Sequence, residues 1–497
     1  MASPLVLAID QGTSSTKCLL VDGSGAVVAR GQAPLSESHP QPGWVEQDAD
    51  EIWASVQVAV AACVSPDHAG SVIAAGLSTQ RESCLVWDRR TGAPLSAVLS
   101  WQDQRTSALA QEIGAPGTIA MVRRISGLPL DPMFSALKLR WLLDRIDPDR
   151  IKARAGDIRI GTIDSWLLSR LGSDHLIEAG NASRTQLLDV VEGRWDEGLL
   201  DLFKVPAEAL PRLAASTGPF PALRGLAPLP DGIPVLAVMA DSHAALFAHG
   251  AVEPGEAKAT QGTGSSVMGL IADGACLDPG LCLTIAWAID GTTPDRIALA
   301  AEGNIRAAGS TLRWAAGILG ISTDELAALA RTTPSNGVSL VPGFTGLGAP
   351  WWDAEATGLL TGFTLGTDRN AIARAAIDSI AHQIADVVEA LDRSGTRLRR
   401  LFVDGGPTRN DQLMQMEADM IGRPILRGHT AELSALGVAH LAGLKAGLWD
   451  AKGLAALERP RDVFEPKLQA DARKEERERW LAAIARSRLR PGFSATA

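Results

Sequence analysis

Asp10-Gln11-Gly12-Thr13-Ser14-Ser15-Thr16 decides the reading of this chain. It stands between two short aliphatic runs, residues 5–9 and 18–21, which read as strands joined by a turn. A carboxylate at a strand end, then Gly, then hydroxyl residues, suits a phosphate and its metal. Gly lets the backbone turn tightly and approach a ligand. Successive N–H groups in such a turn form an anion-binding nest. Asp10 could hold Mg²⁺ directly or through water, because Mg²⁺ takes few carboxylates and several phosphate or water oxygens. Taken alone, the stretch is equally an ordinary hairpin with a polar turn.

A second copy tips the balance. Thr260-Gln261-Gly262-Thr263-Gly264-Ser265-Ser266 repeats the Gln-Gly-Thr core, again between apolar segments, half a chain away. Two hairpins of one design predict two related domains that share one nucleotide.

With 497 residues the chain is too long for one ordinary core, and two or three domains are expected. Its 46% hydrophobic and 21% charged residues are those of a soluble globular protein. A net charge of −10 argues against a nucleic-acid partner, yet leaves room for local phosphate binding at nests and helix N-termini. Cys18, Cys63, Cys84, Cys276 and Cys282 are scattered with no CxxC, which fits free thiols in a reducing compartment. No basic leader and no apolar run of membrane-span length stands out, so a cytoplasmic location is expected.

Along the chain, residues 48–63 read as a helix with Ile52, Val56, Ala59, Val60 and Cys63 on one face. Residues 72–77 form an apolar strand that runs into Ser78-Thr79-Gln80-Arg81-Glu82-Ser83, and another ends in Trp101, Asp103 and Arg105. Polar clusters at strand ends are where open α/β sheets place ligands. Arg81 and Glu82 are either a surface pair or a polyol-recognition pair, a guanidinium donating to one hydroxyl and a carboxylate accepting from its neighbour. Adjacent strand residues point to opposite faces, so both reach one ligand only if the strand has ended or bulged. Trp101 is either core or a flat wall against a carbon chain. Asn181-Ala182-Ser183-Arg184-Thr185 is a polar island. Asp241 follows a buried strand, 235–239, and by position reads as a helix N-cap before a catalytic carboxylate. Residues 302–320 read as a glycine-tolerant helix, and 370–391 as a helix with Asp368 at its start and Gly395 past its end. A third glycine turn, Gly405-Gly406, lies between a strand at 401–404 and a helix at 412–421.

With those residues in place, the chain resembles the FGGY carbohydrate kinases, most closely the glycerol kinases among them. The likeness runs from about residue 5 to about 455, through IDQGTSST, STQRES, SWQDQRT, SGLPLDPMFSALKLRW, GTIDSWL, GNASRT, FTGLGAPWWD, VDGGPTRND and ELSALGVAHLAG. It implies an α/β fold of two ribonuclease-H-like (actin/Hsp70-type) domains with an ATP cleft between them. An N-terminal domain at 1–248 would carry the substrate and phosphate side, and a C-terminal domain at 249–497 the nucleotide side. The resemblance implies ATP and Mg²⁺ as cofactors. It gives Asp10 to the metal, and Gly12, Thr13 and Ser14, with Thr263 and Gly264, to the phosphates. Gly309, Arg313, Gly405, Gly406 and Asn410 would surround the nucleoside. Asp241 would be the general base, reversing the reading from position alone, while Arg81, Glu82 and Trp101 hold the substrate.

Three residues depart from the glycerol kinase pattern. Met133 stands where those enzymes have Tyr, Ser242 where they have Gln, and Ser266 where they have Phe, all facing the substrate. Two changes remove aromatic bulk and one shortens a polar side chain, which implies a roomier pocket. The acceptor is expected to be a small polyol or sugar phosphorylated at a terminal hydroxyl, with a four- or five-carbon polyol or ketose as the alternative to glycerol. The basic Gly-rich loop that binds fructose bisphosphate in some relatives is unmatched by the short, acidic 229–233. A non-catalytic nucleotide switch of the same superfold is the rival class; a dehydrogenase lacks its GxGxxG here. No nucleic acid and no membrane span are expected; homo-oligomerisation as a dimer or tetramer stays open.

Overall fold

The computed structural model describes residues 3–172, 174–272, 274–293, 296–332 and 334–490. The chain divides into two compact units. The first comprises Met1–Gly250 together with Leu283–Leu299 and Glu432–Glu458; the second comprises Ala251–Cys282, Ala300–Ala431 and Arg459–Ala497.

In the first unit a sheet runs in the order Val27–Pro34, Ser15–Asp22, Leu5–Gln11, Val72–Thr79, Val235–Ala240. Its first three strands are antiparallel and the last two run parallel to Leu5–Gln11. Leu5, Leu7 and Ile9 of the central strand enter a core with Ile52, Val56, Val60 and Cys63 of the helix Ala49–Cys63. That helix presents the apolar face its spacing predicts, and Asp48 caps it by accepting from the Asp50 and Glu51 N–H groups. On the sheet lies the helix Leu433–Lys445, which packs against the helix Asp241–Ala248. At Gly437 the two backbones touch: a Cβ there would sit 1.8 Å from the Ala244 carbonyl oxygen. A small sheet, Glu46–Gln47, Val98–Leu99, Cys84–Asp88 and Ile158–Thr162, flanks the segment that follows Val72–Thr79.

The second unit repeats the plan. Ile297–Ile305, Ser265–Leu270, Glu256–Gln261, Arg400–Gly405 and Ile425–Gly428 follow one another in that order. Here too the first pairings are antiparallel and the next two parallel, with Arg461–Phe464 added antiparallel at the edge. The helix Arg369–Arg393 starts at its Asp368 cap, and Gly395 follows its end at φ +89°. It is buried on nearly every side, because Ala and Ser fill the faces between its aliphatic residues.

One expected element is corrected. Residues 302–305 end a strand, and the helix covers only Gly309–Leu319. Glu302 pairs with Met268 across the sheet and receives the Ser266 hydroxyl at 2.6 Å. Ile305 and Ala308 mimic a helical period, but the ladder takes Ile305.

Candidate active site

The first unit gathers Asp10, Gly12, Thr13, Ser14, Arg81, Glu82, Asp241 and Ser242 at the ends of its parallel strands. Val72–Thr79 stops two residues before Arg81, and Glu82 adopts left-handed φ of 60°. The strand alternation has therefore ended, and both side chains turn the same way. Arg81 Nε lies 3.8 Å from Glu82 Oε1 and 3.5 Å from Asp241 Oδ1. A left-handed non-Gly residue costs on the order of 1 kcal/mol and marks a place to look for function. Ser135 Oγ holds that turn by donating to the Glu82 carbonyl at 2.9 Å.

Asp241 is not the helix cap that its position suggested. Ala240 occupies the cap without a side-chain bond, and Asp241 is the first helical residue. Its Oδ1 accepts from the Ser242 N–H at 2.6 Å, and its side chain is 37% exposed beside Arg81. A carboxylate paired with a guanidinium and open to solvent can accept a proton from a hydroxyl.

Trp101 is 38% exposed and donates its indole N–H to Thr13 Oγ1 at 3.1 Å. This ties the aromatic wall to the first Gly-Thr turn. In that turn the Gly12 N–H donates to the Ser15 carbonyl, Thr13 is half-buried and Ser14 is exposed. Met133 is half-buried; its N–H donates to Asp131 Oδ1 and its carbonyl accepts from Lys138 Nζ at 2.6 Å. Two glutamines escaped the sequence reading. Gln47 Nε2 donates to the Thr13 carbonyl at 2.7 Å, and Gln80 Nε2 donates to Gln47 Oε1 at 3.0 Å. Gln80 lies inside the STQRES match, which was the available signal for it.

Asp10 is the last residue but one of the central strand. Burial, and then the nearby Asp241 carboxylate, push its pKa up to about 7, with Ser78 and Lys17 offsetting only part. Its Oδ1 is sealed from solvent and has no hydrogen-bond partner among the described residues. An orphaned carboxylate oxygen beside a second carboxylate fits a cation that also binds phosphate oxygens. Mg²⁺ bound there would neutralise charge as a phosphoryl group moves.

In the second unit, the Thr263 carbonyl accepts from the Ala308 and Ser310 N–H groups at 2.9 and 3.1 Å, and the Gly309 N–H donates to the Gly262 carbonyl at 2.9 Å. Arg313 Nη2 reaches Thr263 Oγ1 at 3.3 Å. The turn and the start of the helix Gly309–Leu319 are thus one piece. Gly405 has φ +103°, and a Cβ there would sit 1.9 Å from the Gln261 carbonyl oxygen, so only Gly fits. Gly406 faces open space. Asn410 caps the helix Asp411–Ile421, its Oδ1 accepting from the Gln412 and Leu413 N–H groups. Ser266 is tied to Glu302.

One unit thus brings together an exposed carboxylate beside a guanidinium and a buried orphan carboxylate, and the other holds glycine turns that close on one another. The chain belongs to the FGGY family of carbohydrate kinases, whose N-terminal domain model matches residues 5–248 and C-terminal domain model residues 257–446. It is an ATP-dependent sugar or polyol kinase, working with Mg²⁺. It is 41% identical to the apulose kinase of Pectobacterium atrosepticum over 99% of this chain and 100% of that one. It is also 41% identical to the glycerol kinase of Alkalilimnicola ehrlichii, covering 97% and 98%. Among solved structures, Plasmodium falciparum glycerol kinase with ADP superposes with a TM-score of 0.91 at 30% identity, covering 98% of this chain and 99% of that one. Among the described residues no helix is long and apolar enough to cross a membrane.

Proposed function

We propose that this kinase phosphorylates a terminal hydroxyl of a four- or five-carbon polyol or ketose in preference to glycerol. The observation behind this reading is that the Arg81, Glu82, Asp241 and Trp101 set is complete, whereas Met133 and Ser242 stand where the resembled glycerol enzymes carry Tyr and Gln. The recognition chemistry is kept while bulk is lost, and Ser266 in place of Phe goes the same way.

Arg81 donates to one substrate hydroxyl, Glu82 accepts from the next, and the Trp101 ring lies along the carbon chain. Asp241 accepts the proton of the terminal hydroxyl as its oxygen attacks the γ-phosphorus. The bond to the bridging oxygen breaks and ADP leaves. Such transfer needs positioning and charge stabilisation more than covalent help. Gly12, Thr13 and Ser14 of the first unit offer N–H and hydroxyl groups to phosphate, and Thr263 and Gly264 of the second offer the same chemistry. Gly309, Arg313, Gly405, Gly406 and Asn410 hold the nucleoside end, and Asp10 takes the metal. The five cysteines, all free thiols, support a cytoplasmic setting.

The test is coupled ADP release with Mg·ATP across glycerol, erythritol, ribitol, xylulose, ribulose and apulose, the acceptor in one relative's name. A kcat/KM for a four- or five-carbon acceptor at least about tenfold above glycerol, ~1.4 kcal/mol in transition-state binding, supports the reading. Preference for glycerol overturns it.

A further inference from the structure

We propose that Arg184, in the polar island at 181–185, is a positioning residue that fixes Glu82 for the substrate. This rests on the reading of Glu82 as a hydroxyl acceptor. Arg184 lies 102 residues from Glu82 in sequence, yet its Nε donates to Glu82 Oε1 at 2.6 Å. The pair is sealed, with side-chain exposures of 0% and 4%. The guanidinium also lies over the Phe134 ring, 5.1 Å from its centroid.

Glu82 needs such a hold because its own segment gives it no strand ladder and only the longer Arg81 contact at 3.8 Å. The strand has ended and its backbone is left-handed. Two contacts supply the constraint, Arg184 on the carboxylate and Ser135 Oγ on the carbonyl. Both come from one braced block. The Thr185 carbonyl accepts from the Ala136 N–H at 2.9 Å, which joins the island to the start of the helix Ser135–Ile146. Ser183 Oγ lies 2.8 Å from Thr284 Oγ1, which anchors the island from its other side.

The distances also divide the charges. Arg184 is within hydrogen-bond range of Glu82, while Arg81 is not, at 3.8 Å, and lies nearer Asp241, at 3.5 Å. Arg184 therefore serves as the close counter-ion of Glu82, while Arg81 lies nearer Asp241. Removing Arg184 would take away the donor at 2.6 Å and loosen the acceptor oxygen. A charge-assisted pair in a dry site is the strong kind, so the effect on ligand binding is large.

The experiment is steady-state kinetics of the full chain with its best acceptor from the panel above, for Arg184→Met, Arg184→Lys, Glu82→Gln and the Glu82→Gln/Arg184→Met pair. Calorimetric ADP binding reports folding. The expected result is a KM for the acceptor raised about tenfold or more in Arg184→Met, with the KM for ATP unchanged, because binding shared by ground and transition states is lost. Arg184→Lys keeps the charge without the fork and falls between. In the Glu82→Gln background, Arg184→Met adds less than about twofold, because the two act as one unit. If Arg184→Met does not bind ADP, the lysine variant and the pair decide by the same criteria. An ADP-binding Arg184→Met, or failing it an Arg184→Lys, whose acceptor KM stays within about twofold of wild type overturns the positioning role alone. A wild-type enzyme that turns over no acceptor overturns the functional reading and this role with it.

Discussion

The two Gln-Gly-Thr hairpins sit on the same strand order, but they treat charge in opposite ways. In the first, Asp10 pairs in register with Ser78 on the neighbouring parallel strand. In the second, Thr260 holds the corresponding place and the carboxylate has moved to the neighbour, Asp404. Thr260 donates to Asp404 at 3.1 Å and accepts from Lys258 Nζ at 2.7 Å, so that carboxylate has partners supplied by the chain. Asp10 has none for its Oδ1, and its pKa stands near 7. One scaffold thus supports two jobs. The second hairpin's carboxylate is held by its own neighbours, while the first keeps a buried carboxyl oxygen without a hydrogen-bond partner among the described residues. The local glycine chemistry is shared; the position of one carboxylate separates them.

The sharpest way to stress the contrast is at Asp241, which faces Arg81 in the first unit and has no counterpart role at the second hairpin. Asp241→Asn is expected to lower kcat about 10³-fold with ADP binding intact, the usual scale for a lost general base. Retention of turnover within about tenfold would move the base elsewhere.

A second break targets the other hairpin. Gly405→Ala forces a side chain onto the Gln261 carbonyl at a left-handed φ, so it should destabilise the chain by about 2–3 kcal/mol. Gly406→Ala, beside open space, should cost far less. Chemical denaturation of the pair measures the difference, and equal stabilities would show that the second turn has slack.

A smaller effect comes from pH. The folded pKa of Asp10 lies above its ordinary 3.8, at about 7, so the proton and the metal compete. Metal affinity should fall up to about tenfold per pH unit below 7 and level off above it. The metal-free protein has the opposite trend: the native state favours protonated Asp10, and that contribution to stability is full below 3.8 and lost as pH rises through about 7. Thermal unfolding of Asp10→Asn against wild type, from pH 5 to 8, reads this directly. The variant should gain relative to wild type as pH rises.

Much of this organisation was legible from local pattern. Val72–Thr79 is a strand as its apolar run implied, and Asp368 caps the helix it was placed before. What was not legible depends on distant contacts. Glu302 looked helical until Met268 and Ser266 across the sheet claimed it. Asp241 looked like a cap because Asp commonly is one, but Ala240 takes that place. Gln47 reaches Thr13 over 34 residues and Arg184 reaches Glu82 over 102, distances at which no periodicity or turn signal carries information. The return of Glu432–Glu458 to the first unit is of the same kind: small residues such as Gly437 permit the close approach, but nothing in their spacing names the partner.

Asp10, and not its counterpart Thr260, is expected to complete the metal site. The most direct measurement is Mn²⁺ binding by electron paramagnetic resonance in the presence of ADP at pH 8, for wild type, Asp10→Asn and Thr260→Val. Asp10→Asn is expected to weaken Mn²⁺ at least about tenfold while Thr260→Val stays within about threefold of wild type, since a removed carboxylate takes away a ligand and a removed hydroxyl does not. Unchanged Mn²⁺ binding in Asp10→Asn, or loss in Thr260→Val, would contradict it.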